Sequence, residues 1–266
     1  MTEASVTNPV RANRDRRAVL ARSGLADLSP RALAVLAAVP EWWRRRVACA
    51  GLHTAAAQRL DLAIEADPMV DLDRLAQVPY REDLVSATPE ALAEAYVVAL
   101  DDRVRSADGR HYTPPAFAEA LYEQAVGVLG RSPSGLVWDP ACGAGALLVP
   151  ALRDYLVHRA DTEPDLLLAA ASTHVGGRDL DAAAAWLGNV LLAAELLPVW
   201  ASVPPRRRRP LPAMLEVGDG LTAPPTRPEL IVTNPPYGRV RLGEDDRERW
   251  AHVLYGHANR YSLFLG

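Results

Sequence analysis

The 266-residue chain is predicted to be an α/β protein, a parallel, doubly wound sheet preceded by a helical region. From residue 18 to about 105, Leu and Ala recur at three- and four-residue spacings, the period of amphipathic helices. Beyond Gly109, short apolar runs alternate with helical stretches, and the runs end in Gly, Asp or Asn-Pro, the punctuation of strand-to-helix turns. The expected organisation is an arm over 1–17, a helical region over 18–108 and an α/β domain over 109–266.

Composition narrows the function classes. Hydrophobic residues make up 49% of the chain and charged residues 23%, which is globular rather than disordered. No apolar stretch reaches the ~18 residues of a bilayer span, and the start does not resemble a signal peptide. A cytoplasmic location without membrane attachment is therefore expected. Cys49 and Cys142 form neither a disulfide framework nor a CxxC pair, and His252 and His257 stand five apart, off a shared helix face. No metal site is expected. The net charge is −4, yet all 29 basic residues are Arg, a side chain that grips phosphates bidentately.

The elements follow in order. The helical region should be interrupted at Pro30, Pro40, Pro68, Pro79 and Pro89. Ser29-Pro30, Asp67-Pro68 and Thr88-Pro89 each place a capping side chain before a proline at the first helical position. Strands are expected over 136–139, 175–180, 214–217 and 230–233, with a helix from about 146 to 159 and an Ala/Leu-rich helix that follows the second strand and runs to about 197. Four adjacent arginines, Arg206 to Arg209, lie between prolines and should form a solvated loop. Such a loop is either a charged surface insertion or a phosphate contact on a DNA backbone.

The chemistry gathers at the strand ends. Asp139-Pro140-Ala141-Cys142-Gly143-Ala144-Gly145 joins the first strand to a helix whose N-terminus offers unpaired N–H groups. Leu148 replaces the third glycine of the dinucleotide fingerprint. The acid at the strand end disfavours a pyrophosphate and suits a cation such as a sulfonium. Asp179, after the second strand, is placed to accept from ribose hydroxyls, whereas Asp181 fits a cap on the following helix. Gly218-Asp219-Gly220-Leu221 follows the third strand with a carboxylate suited to an adenine amino group. The fourth strand runs into Asn234-Pro235-Pro236-Tyr237-Gly238, where two prolines remove N–H donors and leave carbonyl acceptors. Tyr237 adds a flat face for a base.

Taken together, 139–145 and 234–237 resemble the paired signature of the N6-adenine DNA methyltransferases that use S-adenosylmethionine, as in restriction-modification methylases of types I and II. Tyr112-Thr113-Pro114-Pro115 resembles the segment that precedes the Gly-rich turn in that group. The resemblance covers about residues 91–266. It implies a Rossmann-like methyltransferase sheet, with strands ordered 3-2-1-4, and double-stranded DNA with a flipped adenine as partner. Tyr112, Thr113, Pro114, Asp139, Pro140, Cys142, Gly143 and Gly145 would hold the methionine end of the cofactor. Asp179 would take the ribose, and Asp219 with Gly220 and Leu221 the adenine. Asn234, Pro235, Pro236 and Tyr237 would hold the target base. Gly220 departs from the pattern, replacing a bulky residue that often covers the cofactor adenine.

Two acceptors drawing on the hydrogens of adenine N6 would make that nitrogen a better nucleophile for direct attack on the sulfonium methyl. Glutamine methyltransferases that modify release factors share Asn-Pro-Pro-Tyr and form the alternative, as does a non-catalytic cofactor- or DNA-binding subunit. The resemblance further implies strands beyond the fourth. The chain is thus expected to be an incomplete catalytic domain that needs a C-terminal half or a specificity subunit. Leu263, Phe264 and Leu265 are expected to have little to pack against.

Overall fold

The computed structural model describes residue 25 and residues 28–65, 70–100, 112–237, 248, 250–252 and 259–264. The arm at 1–17, the Asp67-Pro68 cap, Gly109, Gly238, His257 and Leu265 lie outside the described residues.

The first long helix, α1 (Pro30–Cys49), starts as its sequence requires: the Ser29 hydroxyl accepts from the Ala32 N–H at 3.1 Å, and Pro30 sits in the first turn. Pro40 does not interrupt it, contrary to expectation. A mid-helix proline costs roughly 3 kcal/mol, and what offsets it lies just beyond. Trp42 and Trp43 are fully buried, and their indole N–H groups donate to the Ala87 and Ala57 carbonyls, both at 2.9 Å. Short helices α2 (Ala55–Gln58), α3 (Leu60–Ala63) and α4 (Leu72–Leu75) and a 3₁₀ turn (Glu82–Ser86) lead to α5 (Pro89–Ala99). Thr88 caps α5 through the Ala91 N–H.

The α/β part contains α6 (Pro115–Leu129), β2 (Val137–Asp139), α7 (Val149–His158), α8 (Pro164–His174), β3 (Val175–Asp179), α9 (Ala182–Ser202), β5 (Leu215–Val217), β6 (Leu230–Ile231) and α10 (Arg260–Phe264). Its four strands form one parallel sheet in the order β5-β3-β2-β6. This is the expected 3-2-1-4 arrangement, so the fold is the doubly wound class that the alternation predicts. A second parallel ladder pairs β1 (Ile64–Glu65) with β4 (Leu211–Pro212) and ties the helical region to the α/β part. Helices α6 and α8 fall outside the elements assigned from sequence. The first turn before α7, Ala146–Leu148, is 3₁₀.

Helix α9 organises the interior: α1 and α5 pack on one side of it, β3 and β5 on another, and fifteen of its residues are buried. One continuous apolar core therefore runs from Leu25 to Val232 through both parts. The helix outruns its expected end despite Pro198, because buried Trp200 donates to the Arg209 carbonyl at 2.8 Å. The Arg208 guanidinium also caps it, donating to the carbonyls of Trp200, Ala201 and Val203. The arginine run is thus only partly a solvated loop. Arg207 pairs with Asp165, and Arg206 and Arg209 are exposed. Because α9 runs back from the C-terminal end of β3, this loop lies at the sheet edge opposite the strand-end motifs, which favours the surface-insertion reading.

No helix among the described residues is long and apolar enough to cross a membrane. Among the described residues, strand β6 is an outer strand, with Ile231 56% exposed. Leu263 is nevertheless buried and Phe264 lies against Gly220, so the terminal helix does find packing, contrary to expectation.

Candidate functional site

The turn after β2 is shaped by its glycines. Gly143 and Gly145 have φ of 50° and 80°, left-handed values that side chains rarely adopt. The turn closes through the Gly145 N–H donating to the Cys142 carbonyl at 2.7 Å and the Cys142 N–H donating to the Arg178 carbonyl at 3.1 Å. Cys142 itself is buried, and its thiol is pushed up by burial first and then by Asp179 and Asp139. That makes it a poor nucleophile and a packing residue of the turn.

Asp139 is 2% exposed, with one oxygen accepting from the Ala141 N–H at 3.0 Å. Burial pushes its carboxyl up to about 7, against the stabilising Ala141 N–H and the adjacent Thr233 hydroxyl, while the charge of Asp179 adds to the rise. The Thr233 hydroxyl is itself buried and makes no hydrogen bond of ordinary geometry. A buried carboxyl at the end of the strand fits a polar, positively charged guest.

Thr113, 7% exposed, sits just before α6 and accepts from the Asn234 amide at 3.3 Å. This bond joins the segment before the sheet to the turn after β6. Tyr112, Thr113, Asp139, Cys142 and Asn234 line one cleft with about 410 Å³ of open space. Ala93 and Val97 of α5 form its other wall. Tyr112 is pushed up to about 12 by burial first and by Glu90 and Glu94 next, so it stays neutral. Pro114 occupies the cap position of α6, exposed and outside the cleft.

The two further acids lie along the strand ends, beyond the cleft. The Asp179 oxygens accept from the Gly143 N–H and the Asp181 N–H, both at 2.8 Å, so it braces the Gly turn directly. Asp181 caps α9 through the Ala183 and Ala184 N–H groups and accepts from the Tyr96 hydroxyl. Asp219 is exposed and accepts from the Leu221 N–H at 3.0 Å. Gly220 rests on the Pro140 carbonyl so closely that a Cβ would stand 1.8 Å from its oxygen and 3.0 Å from Phe264 Cε1. No bulky side chain fits there, and the Phe264 ring occupies the adjoining space.

At the far end, Pro235 and Pro236 are half-buried and Tyr237 is 52% exposed. The Tyr237 hydroxyl donates to Asn234 Oδ1 at 3.1 Å, covering the amide oxygen expected to accept from a target amino group. Among the described residues, no three His, Cys, Asp or Glu side chains gather as a metal site.

Sequence reasoning missed four contributors. Ala93 and Val97 carry only helical periodicity, which does not say where the helix docks. Asn189 is the one polar side chain in the buried middle of α9, and that was its signal. It donates to the Leu215 carbonyl and accepts from the Met214 and Leu215 N–H groups, pinning β5. Arg178 stands beside Asp179 at the end of β3, and nothing local reveals its distant partners.

No protein-family model and no curated protein matches the chain. Solved structures do. The type IIG restriction endonuclease BpuSI matches with a TM-score of 0.54 and 17% identity, covering 96% of this chain and 32% of that one. The DrdV–DNA complex, solved by cryo-electron microscopy, matches with a TM-score of 0.52 and 16% identity, covering 96% and 30%. A Listeria monocytogenes chain assigned provisionally to the class I S-adenosylmethionine-dependent methyltransferases gives a TM-score of 0.43 and 17% identity over 94% and 65%. The chain spans about a third of the BpuSI and DrdV chains, and at these identities the likeness is one of fold.

Proposed function

We propose that this chain is the cofactor-binding part of an S-adenosylmethionine-dependent DNA methyltransferase that modifies adenine N6 in a restriction-modification or phage-defence system. The observation that carries the reading is the single cleft in which the buried Asp139 carboxyl and Asn234, held by Thr113, face the same space. A cation and an amino group are the guests these two side chains suit.

When bound, the cofactor supplies a methyl group on a positively charged sulfur. Asp139, Thr113 and the Gly143–Gly145 turn would hold its methionine end, Asp179 its ribose, and Asp219 with the Gly220 turn its adenine. On the protein side, the Asn234 amide oxygen and the Pro235 carbonyl accept the two hydrogens of the target amino group. That leaves nitrogen density free for direct attack. Tyr237 gives up its hydrogen bond to Asn234 and stacks its ring on the base. Leaving the duplex costs a base a few kcal/mol, and stacking worth ~1–3 kcal/mol offsets part of it. The outer position of β6 among the described residues supports a further segment or specificity subunit as partner. A DNA substrate also implies a cytoplasmic location.

The test is transfer of labelled methyl from S-adenosylmethionine to duplex DNA, with wild type and Asn234→Ala in parallel. Label in DNA as N6-methyladenine, lost in the variant, is the expected result. Label in protein favours glutamine modification, and cofactor binding without transfer favours a non-catalytic subunit.

A further inference from the structure

Arg178 makes an unusual set of contacts for a residue that the proposed reaction leaves unused. Its side chain is 11% exposed and lies over Trp138, 5.5 Å from the ring centroid. Its Nε donates to Glu216 Oε1 at 2.9 Å, and its Nη2 pairs with the same carboxylate. The two N–H groups of Nη1 face the turn after β5 and are shared among the carbonyls of Asp219 at 3.3 Å, Thr222 at 3.0 Å and Ala223 at 3.3 Å. One guanidinium thus ties β2, β3 and β5 to the whole 218–223 turn. A planar fork spreads its N–H groups over three nitrogens and so reaches both strands and the turn, whereas an ammonium gathers its three donors on one atom.

The restraint falls on the turn that carries Asp219. That carboxylate is exposed, between two glycines, and accepts within its own turn from the Leu221 N–H, so its direction follows the placement of the turn. The same turn is anchored beside Asp179, whose carbonyl accepts from the Gly218 N–H at 2.8 Å. The spacing of the two acids is therefore set by β3, through Asp179 and Arg178 together.

We propose that Arg178 is a positioning residue that sets selectivity for the purine of the cofactor, by holding Asp219 where it accepts from a 6-amino group. This rests on the methyltransferase reading of the same site. A correctly held carboxylate rewards an amino group and penalises a carbonyl at that position, because two acceptors then face each other. A loosely held one turns away and discriminates little.

The experiment compares affinity for S-adenosylhomocysteine with that for S-inosylhomocysteine, which carries a carbonyl in place of the 6-amino group. Wild type should prefer the adenine form at least tenfold. Arg178→Met keeps the apolar contact with Trp138 and should reduce that preference to threefold or less. A merely structural role would weaken both ligands alike and leave the ratio unchanged, which overturns the inference. If Arg178→Met does not fold, Glu216→Gln, which removes the carboxylate bracing the guanidinium, must narrow the ratio, and an unchanged ratio there overturns it as well. Wild type that binds neither ligand instead overturns the methyltransferase reading, and this inference with it.

Discussion

The Asn234 amide donates to the Thr113 hydroxyl at 3.3 Å across a separation of 121 residues. With its nitrogen so engaged, the amide presents its oxygen to the side where Tyr237 lies. Thr113 therefore fixes which face of Asn234 meets a substrate. Thr113→Val keeps the shape and removes the acceptor. A net hydrogen bond of about 1 kcal/mol corresponds to roughly a fivefold loss of methyl transfer. Steady-state kinetics should show that loss with an unchanged circular-dichroism spectrum.

Asp139 makes the site pH-dependent in two opposite senses. Its carboxyl ordinarily titrates near 3.8 and is held near 7 in the folded chain. A cationic ligand needs the ionised form, so affinity should rise with pH and level off above about 7. Below that, each unit of pH should cost roughly tenfold, as calorimetry across pH 5.5 to 8.5 would show. Stability of the ligand-free chain runs the other way. Between the two values the folded state binds more protons than the unfolded one, so stability falls as pH rises from about 4 to 7 and is flat above. The full span amounts to about 4 kcal/mol. Asp139→Asn should remove the slope in urea titrations.

Tyr237 offers a ring and a hydroxyl, and only the ring serves the proposed chemistry. Tyr237→Phe releases Asn234 Oδ1 and keeps the stacking face, so turnover should stay within about threefold of wild type. Tyr237→Ala loses stacking worth ~1–3 kcal/mol, a drop of roughly five- to 150-fold. Fluorescence of a 2-aminopurine placed at the target position should report the same order.

Asn189 is 1% exposed and satisfies three backbone groups of Met214 and Leu215. Asn189→Leu leaves them buried without partners, at about 1–3 kcal/mol for each unsatisfied group. Chemical denaturation should show a loss of several kcal/mol. Because β5 carries the Asp219 turn, affinity for S-adenosylhomocysteine should fall as well.

Much of the fold was legible because its signals are local. Ser29-Pro30 and Thr88-Pro89 announce helix starts, and the turns at Gly143 and Asn234 mark strand ends that the sheet then orders as expected. What escaped depends on partners distant in sequence. Pro40 and Pro198 are tolerated only because Trp42, Trp43 and Trp200 are anchored by carbonyls elsewhere. The arginine run reads as a solvated loop until Arg208 meets the end of α9. At the site, every quoted motif lies at a strand end or just before the sheet, but the motifs could not show that α5 walls the cleft. Nor could they show that Tyr237 covers Asn234, or that Gly220 is required by the Pro140 carbonyl.

In the proposed function, the cleft at Asp139 receives the cationic end of S-adenosylmethionine. Isothermal titration of S-adenosylmethionine into wild type and Asp139→Asn, at a pH above 7, tests it most directly. One site per wild-type chain and at least a tenfold weaker site in the variant are expected. Equal affinity in both, or no binding by wild type, would contradict it.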